Sequence, residues 1–112
     1  MSLQSDGLAI DVVGDAVEAA RTGDRAALST IYREYAELVF RYVLACVGDR
    51  ATAEDVTATV FVRVMEGIGR YEPSGAPFGA WLFRIAHNAT IDHVRRGRRA
   101  PVVPLDAAAQ RA

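Results

Sequence analysis

Lysine is absent, and all thirteen basic side chains are arginine. With the excess of alanine, this reflects a GC-rich coding bias as much as a need for guanidinium groups. Cysteine is almost absent too. Cys46 stands alone, so neither a disulfide nor a cysteine-ligated zinc site is available. Its place in an apolar helical run predicts a buried, inert thiol. No apolar run approaches the roughly 18 residues that a membrane span requires. The start, MSLQSDGLAIDVVGD, lacks a basic segment and carries acids, unlike a secretory signal. A cytoplasmic protein without membrane attachment is expected. The two histidines, His87 and His93, lie about 240° apart around a helix at about 100° per residue. They cannot share a metal, no acid or cysteine joins them at ligand spacing, and His87 reads as a packed or surface histidine. There is no nucleophile–base pair, no glycine-rich phosphate loop, no strand pattern and no internal repeat. Neither an enzyme nor a cofactor or metal site is expected.

What is present suits one small helical domain. At 112 residues and 51% hydrophobic content, the chain can bury a core without disulfides or metal. Its net charge of −1 argues against indiscriminate nucleic-acid binding, yet it hides an asymmetry. Residues 1–69 carry six arginines against eleven acids, whereas residues 70–99 carry six against two. One acidic and one basic working surface are expected.

Residues 1–10 read as a disordered start, and a short helix is expected from Val12 to Arg21, closed by Gly23. Asp24 can cap the next helix, whose broad apolar stripe is Leu28, Ile31, Tyr32, Tyr35, Leu38, Val39, Tyr42 and Val43. Gly48 ends it. Thr52 and Asp55 form a capping pattern for a third helix, with Val56, Val60, Val64 and Ile68 as its buried line and Phe61 and Met65 beside it. Glycines and prolines then make Tyr71 to Ala76 a loop. Residues 100–112, with Pro101 and Pro104, read as a linker or tail. The predicted fold is all-α: a compact bundle of three main helices plus a short N-terminal helix, spanning residues 11–99.

The most informative stretch runs from Pro77 to Arg99. Pro77 suits a first helical position, and Phe78, Leu82, Ile85 and Ala89 give one face to bury. Arg84, Asn88 and Arg95 form a separate polar stripe, with Trp81 at its upper edge. Arginine neutralises phosphate, asparagine can hydrogen-bond a base edge, and an aromatic ring can stack on an unpaired base. Arg95, Arg96, Arg98 and Arg99 raise local counterion release and also suit the helix dipole at its C-terminus. Trp81 reads either as a core residue or as a stacking wedge, while Phe78 reads as core. Phe83 should pack on the first long helix. Asp92 would orient Arg95 or Arg96 rather than meet DNA, since carboxylate repels phosphate.

These residues, in this order, resemble region 2 of bacterial sigma factors of the extracytoplasmic-function group. ALSTIYREYAELVFRYVLACVGDRATAEDVTATVFVRV is similar to the first half of that domain, and GRYEPSGAPFGAWLFRIAHNATIDHVRRGRR to its promoter-reading half. The resemblance implies a transcription initiation factor that binds the beta-prime clamp helices of core RNA polymerase. It would recognise and melt the promoter minus-ten element through the non-template single strand, and an anti-sigma factor would be a further partner. The family's second DNA-binding domain, for the minus-thirty-five element, has no counterpart here, and residues 100–112 look like the linker toward it.

By the same resemblance, Asp55, Thr59, Val62 and Glu66 form the polymerase-binding face, against the alternative of an ordinary solvated helix face. Where the family usually carries Gln-Glu, this chain has Ala58 and Thr59. The loop carrying Ser74, Gly75 and Ala76 would receive a flipped base, small residues letting the base approach the backbone. Extruding a base costs a few kcal/mol, of the same order as the roughly 1–3 kcal/mol returned by stacking. Two rival classes remain: a helical protein-interaction module without DNA reading, and a weaker one, an amphipathic membrane anchor. Trp81 and Phe83 lie roughly 160° apart around the helix, which disfavours the anchor.

Overall fold

The computed structural model describes residues 13–97. The expectations for residues 1–10, for Arg98 and Arg99 and for the tail 100–112 therefore lie outside the described residues. Helix α1 covers 13–21, α2 runs Arg25–Val47, α3 runs Arg50–Gly67 and α4 runs Phe78–Gly97. A 3₁₀ turn, Ile68–Arg70, extends α3, and no strand occurs among the described residues. The all-α bundle is as expected.

Local chemistry sets the boundaries. Asp24 is extended, and its carboxylate accepts from the Ala26 and Ala27 N–H groups at 2.9 and 3.3 Å, which starts α2. Gly48 ends it at φ 77°, in the left-handed region that glycine enters freely, and its N–H donates to the Leu44 carbonyl at 2.8 Å. The cap of α3 differs from expectation. Asp49, not Thr52, takes the position, accepting from the Thr52 N–H at 2.8 Å. Two hydrogen bonds, from the Thr52 side chain and backbone, hold the Asp49 carboxyl below its ordinary range. Pro77 also stands one place earlier than expected. It precedes the helix, and its carbonyl accepts from the Ala80 N–H at 3.0 Å.

The core is built at helical spacing. Ile31, Val39 and Val43 of α2 meet Val56, Val60 and Val64 of α3 and Leu82, Ala86 and Ala89 of α4. Ala16, Val17 and Ala20 of α1 pack onto the same cluster. Alanines on α4 let the backbones approach. Each of α2, α3 and α4 touches the other two. Thr90 is buried but satisfied, donating to the Ala86 carbonyl at 2.8 Å.

Several side chains fall elsewhere than expected. Ala86 takes the central place on α4, and Ile85 and Phe78 are half-buried. Tyr32 and Leu38, read as part of the buried stripe, are each 50% exposed, and Met65 is 52% exposed. Cys46 is exposed rather than buried. The three main helices cover only part of a stripe as broad as the one on α2.

Candidate nucleic-acid interface

The loop before α4 hangs between two aromatic anchors. Tyr71 is buried and lies edge-on to Phe78, with ring centroids 5.3 Å apart. Trp81 closes the cluster at 5.0 Å from Tyr71 and 5.4 Å from Phe78, while Tyr35 reaches Phe78 from α2 at 5.9 Å. The indole lies so close to Gly67 that a Cβ there would stand 3.4 Å from it. Trp81 is therefore half-buried in packing, not a free-standing wedge. Between the anchors, Ser74, Gly75 and Ala76 are exposed, and Gly75 has φ 87° with open space around its Cα.

Helix α4 is unbroken, so its sequence phase survives in three dimensions. Arg84 and Asn88 are exposed, as are Arg95 and Arg96 in the last turn. At about 100° per residue, Arg84, Asn88 and Arg95 fall within about 40° of one another. Phe83 packs edge-on to Tyr42 of α2 at 6.1 Å, as expected. His87 is an exposed surface histidine whose Nδ1 lies 2.8 Å from the Tyr42 hydroxyl. Burial first, and then neighbouring Cys46, pushes the Tyr42 phenol above its ordinary value, so it remains protonated.

Asp92 behaves differently from expectation. Its carboxylate pairs with Arg63 of α3 at 3.2 Å rather than with Arg95 or Arg96. Arg63, Asp92, Asn88, Arg95, His87 and Ile91 line a shallow cleft between α3 and α4. No sequence pattern joins Arg63 to α4. The pairing depends on how the helices cross.

The outward face of α3 is different in kind. Asp55, Thr59, Val62 and Glu66 are all exposed on α3, with Val62 46% exposed. The Thr59 hydroxyl bonds back to the Asp55 carbonyl at 3.2 Å. Beside this row an open groove of about 910 Å³ runs between α2 and α3. Tyr32, Phe61, Val62 and Met65 line it, and Arg25, Arg50, Glu37 and Glu54 rim it. Tyr32 and Phe61 meet edge-on at 4.9 Å, and the buried Thr57 hydroxyl in the lining has no hydrogen-bond partner. The sequence does not disclose this groove, because it shows Tyr32 on the apolar stripe of α2 and Phe61 and Met65 beside the buried line of α3 without showing that a gap separates them. The signal was the width of the α2 stripe, about 140° at about 100° per residue, too broad for one packed interface. No group of histidine, cysteine and acidic side chains suited to a metal ion occurs among the described residues. No helix among them is long and apolar enough to cross a membrane.

Comparison with known proteins follows the same lines. Residues 31–100 match the family model described as Sigma-70 region 2. The chain is 42% identical over 82 residues to the ECF RNA polymerase sigma factor BldN of Streptomyces coelicolor, covering 73% of this chain and 31% of that protein. It is 37% identical over 81 residues to SigE of Mycolicibacterium smegmatis, covering 70% and 31%. It is 34% identical over 87 residues to SigL of Mycobacterium tuberculosis, covering 78% and 49%. Among solved structures, a chain of the RsbN–BldN complex is similar at a TM-score of 0.65 and 37% identity, covering 75% of this chain and 64% of that one. The chain thus spans between 31% and 49% of the length of these curated relatives.

Proposed function

Because the chain belongs to the Sigma-70 region 2 family, among the extracytoplasmic-function sigma factors, we propose that it is a cytoplasmic transcription initiation module with two working faces. One face binds the beta-prime clamp helices of core RNA polymerase. The other recognises the minus-ten element as a non-template single strand and holds it open. Residues 11–99 form this module. The chain itself carries out no catalysis; nucleotide chemistry belongs to the polymerase.

The observation that carries this reading is the presence of two exposed surfaces of different chemistry on one small core. On α3, Val62 is exposed among Asp55, Thr59 and Glu66 and continues into an apolar groove with charged rims. An apolar centre with a polar rim is how interfaces are built. Ala58 and Thr59 replace the family's usual Gln-Glu, so apolar contact carries more of the binding here. An anti-sigma factor as a further partner is supported by a similar chain having been solved in a complex, RsbN–BldN.

On α4 and its preceding loop, Ser74, Gly75 and Ala76 offer exposed backbone for a flipped base, with Trp81 packed against Tyr71 and Phe78 at the loop's two ends. Arg84, Asn88 and Arg95 follow the strand away from it. Arg96, Arg98 and Arg99 neutralise phosphates. Asn88 supplies the base contact, because its carboxamide both donates and accepts.

Capture of core polymerase on immobilised chain tests the first face. Val62→Arg should abolish capture and Asp55→Ala should weaken it, with both variants still folded by circular dichroism. Capture undiminished in both would leave this surface merely solvated.

A further inference from the structure

The pairing of Arg63 with Asp92 has no role in the reading above. It ties α3 to α4 through a single contact, Arg63 Nη1 to Asp92 Oδ2 at 3.2 Å, with the two side chains 33% and 47% exposed. A guanidinium has five N–H donors, so this contact leaves most of them unused. The cleft around the pair also contains Asn88, Arg95 and His87. Asn88, Asp92 and Arg95 stand at i, i+4 and i+7 on α4 and so share one face.

We propose that this cleft is a seat for a backbone phosphate of the single strand, and that Asp92 occupies it until the strand arrives. The proposal rests on the strand-reading function and adds Arg63, a residue of α3, to the surface that contacts the strand. Arg63 and Arg95 against Asp92 leave one positive charge, which matches one phosphodiester. A phosphodiester offers two non-bridging oxygens in much the arrangement of a carboxylate, so it can replace Asp92 on the guanidinium fork. The displaced carboxylate turns to solvent, which its partial exposure permits. His87 adds to the seat. Its Nδ1 lies 2.8 Å from the Tyr42 hydroxyl, so Nε2 is the ring nitrogen left for a ligand in the cleft that His87 lines. Asp92 thereby keeps the cleft from taking up free anions and makes strand capture a competition between two oxyanions.

The test is fluorescence anisotropy of a short fluorescein-labelled single strand against the full 112-residue chain, Asp92→Asn and Arg63→Gln, over a range of salt concentrations. Asp92→Asn should bind about threefold more tightly or better at low salt, as expected when one charge several ångströms from a phosphate is removed. Arg63→Gln should bind more weakly, and its slope of log affinity against log salt should be shallower by about 0.7, the share of one phosphate on a single strand. A tie that served only to hold the helices together would lower the melting temperature of both variants and leave the slope unchanged.

Wild-type binding with no gain in Asp92→Asn overturns the proposal and leaves the strand reading standing. A gain in Asp92→Asn with an unchanged slope in Arg63→Gln also overturns it, leaving Asp92 as a simple repulsive charge. Wild type that binds no single strand overturns the strand reading as well.

Discussion

At Asn88 a carboxamide stands exposed on α4, between Arg84 one turn before it and Arg95 two turns after. The flanking arginines can hold phosphates in any sequence, whereas a carboxamide distinguishes base edges. Asn88→Ala should therefore remove about 1–3 kcal/mol of discrimination between strands, with the melting temperature little changed because the residue is exposed. Binding isotherms on two strand sequences, beside thermal melts, check both halves. Leu82 is the opposite case, with no exposure at all. Leu82→Ala should cost about 2–5 kcal/mol by leaving a cavity between the three main helices, measurable by urea unfolding. Asp49 links acidity to stability. Its folded carboxyl titrates below the ordinary range, so the folded state binds fewer protons than the unfolded one just below about pH 4. The stability from this cap is fully present above that pH and is lost as pH falls through the folded value. Asp49→Asn keeps a good cap, so its stability should match wild type near neutrality and show a flatter acid limb between about pH 4 and 2. Urea midpoints across that range decide it.

Helix boundaries and faces were unequally legible from the sequence, for physical reasons. Asp24 and Gly48 act on backbone groups within four residues of themselves, so their roles could be read locally. The start of α3 was misplaced because Thr52 and Asp55 imitate a cap, whereas the left-handed turn at Gly48 puts Asp49 next in extended backbone, poised to cap. On α4, the uninterrupted helix preserved the stripe of Arg84, Asn88 and Arg95 as read. The partner of Asp92 was not legible, since it depends on the crossing of α3 and α4. The exposure of Tyr32 and Cys46 was not legible either, because periodicity marks apolar residues without saying whether a neighbour covers them. The Gly48 turn can be tested directly. A Cβ there meets nothing within 4 Å, so Gly48→Ala adds no clash and leaves only the strain of φ 77°. Unfolding of this variant should show a loss of about 1–2 kcal/mol.

In the whole molecule, the single core holds two surfaces of different chemistry at fixed spacing. The α2–α3 groove presents exposed Tyr32, Val62 and Met65 with both signs of charge at its rim, while α4 presents arginine and asparagine. Such a division lets one face stay docked on a protein while the other engages a strand. Val62→Arg and Asn88→Ala should consequently be separable, the first losing polymerase capture with strand binding retained, the second losing discrimination between strands with polymerase capture retained. Sequence preference in the strand is the property that would set the proposed module apart from a helical interaction domain without DNA reading. Selection from a random single-stranded DNA pool by the chain docked on core polymerase measures it directly. A defined short motif should be enriched with wild type and lost with Asn88→Ala, while total strand retention falls only modestly. A bound pool indistinguishable in sequence from the starting pool would contradict the reading of the minus-ten strand.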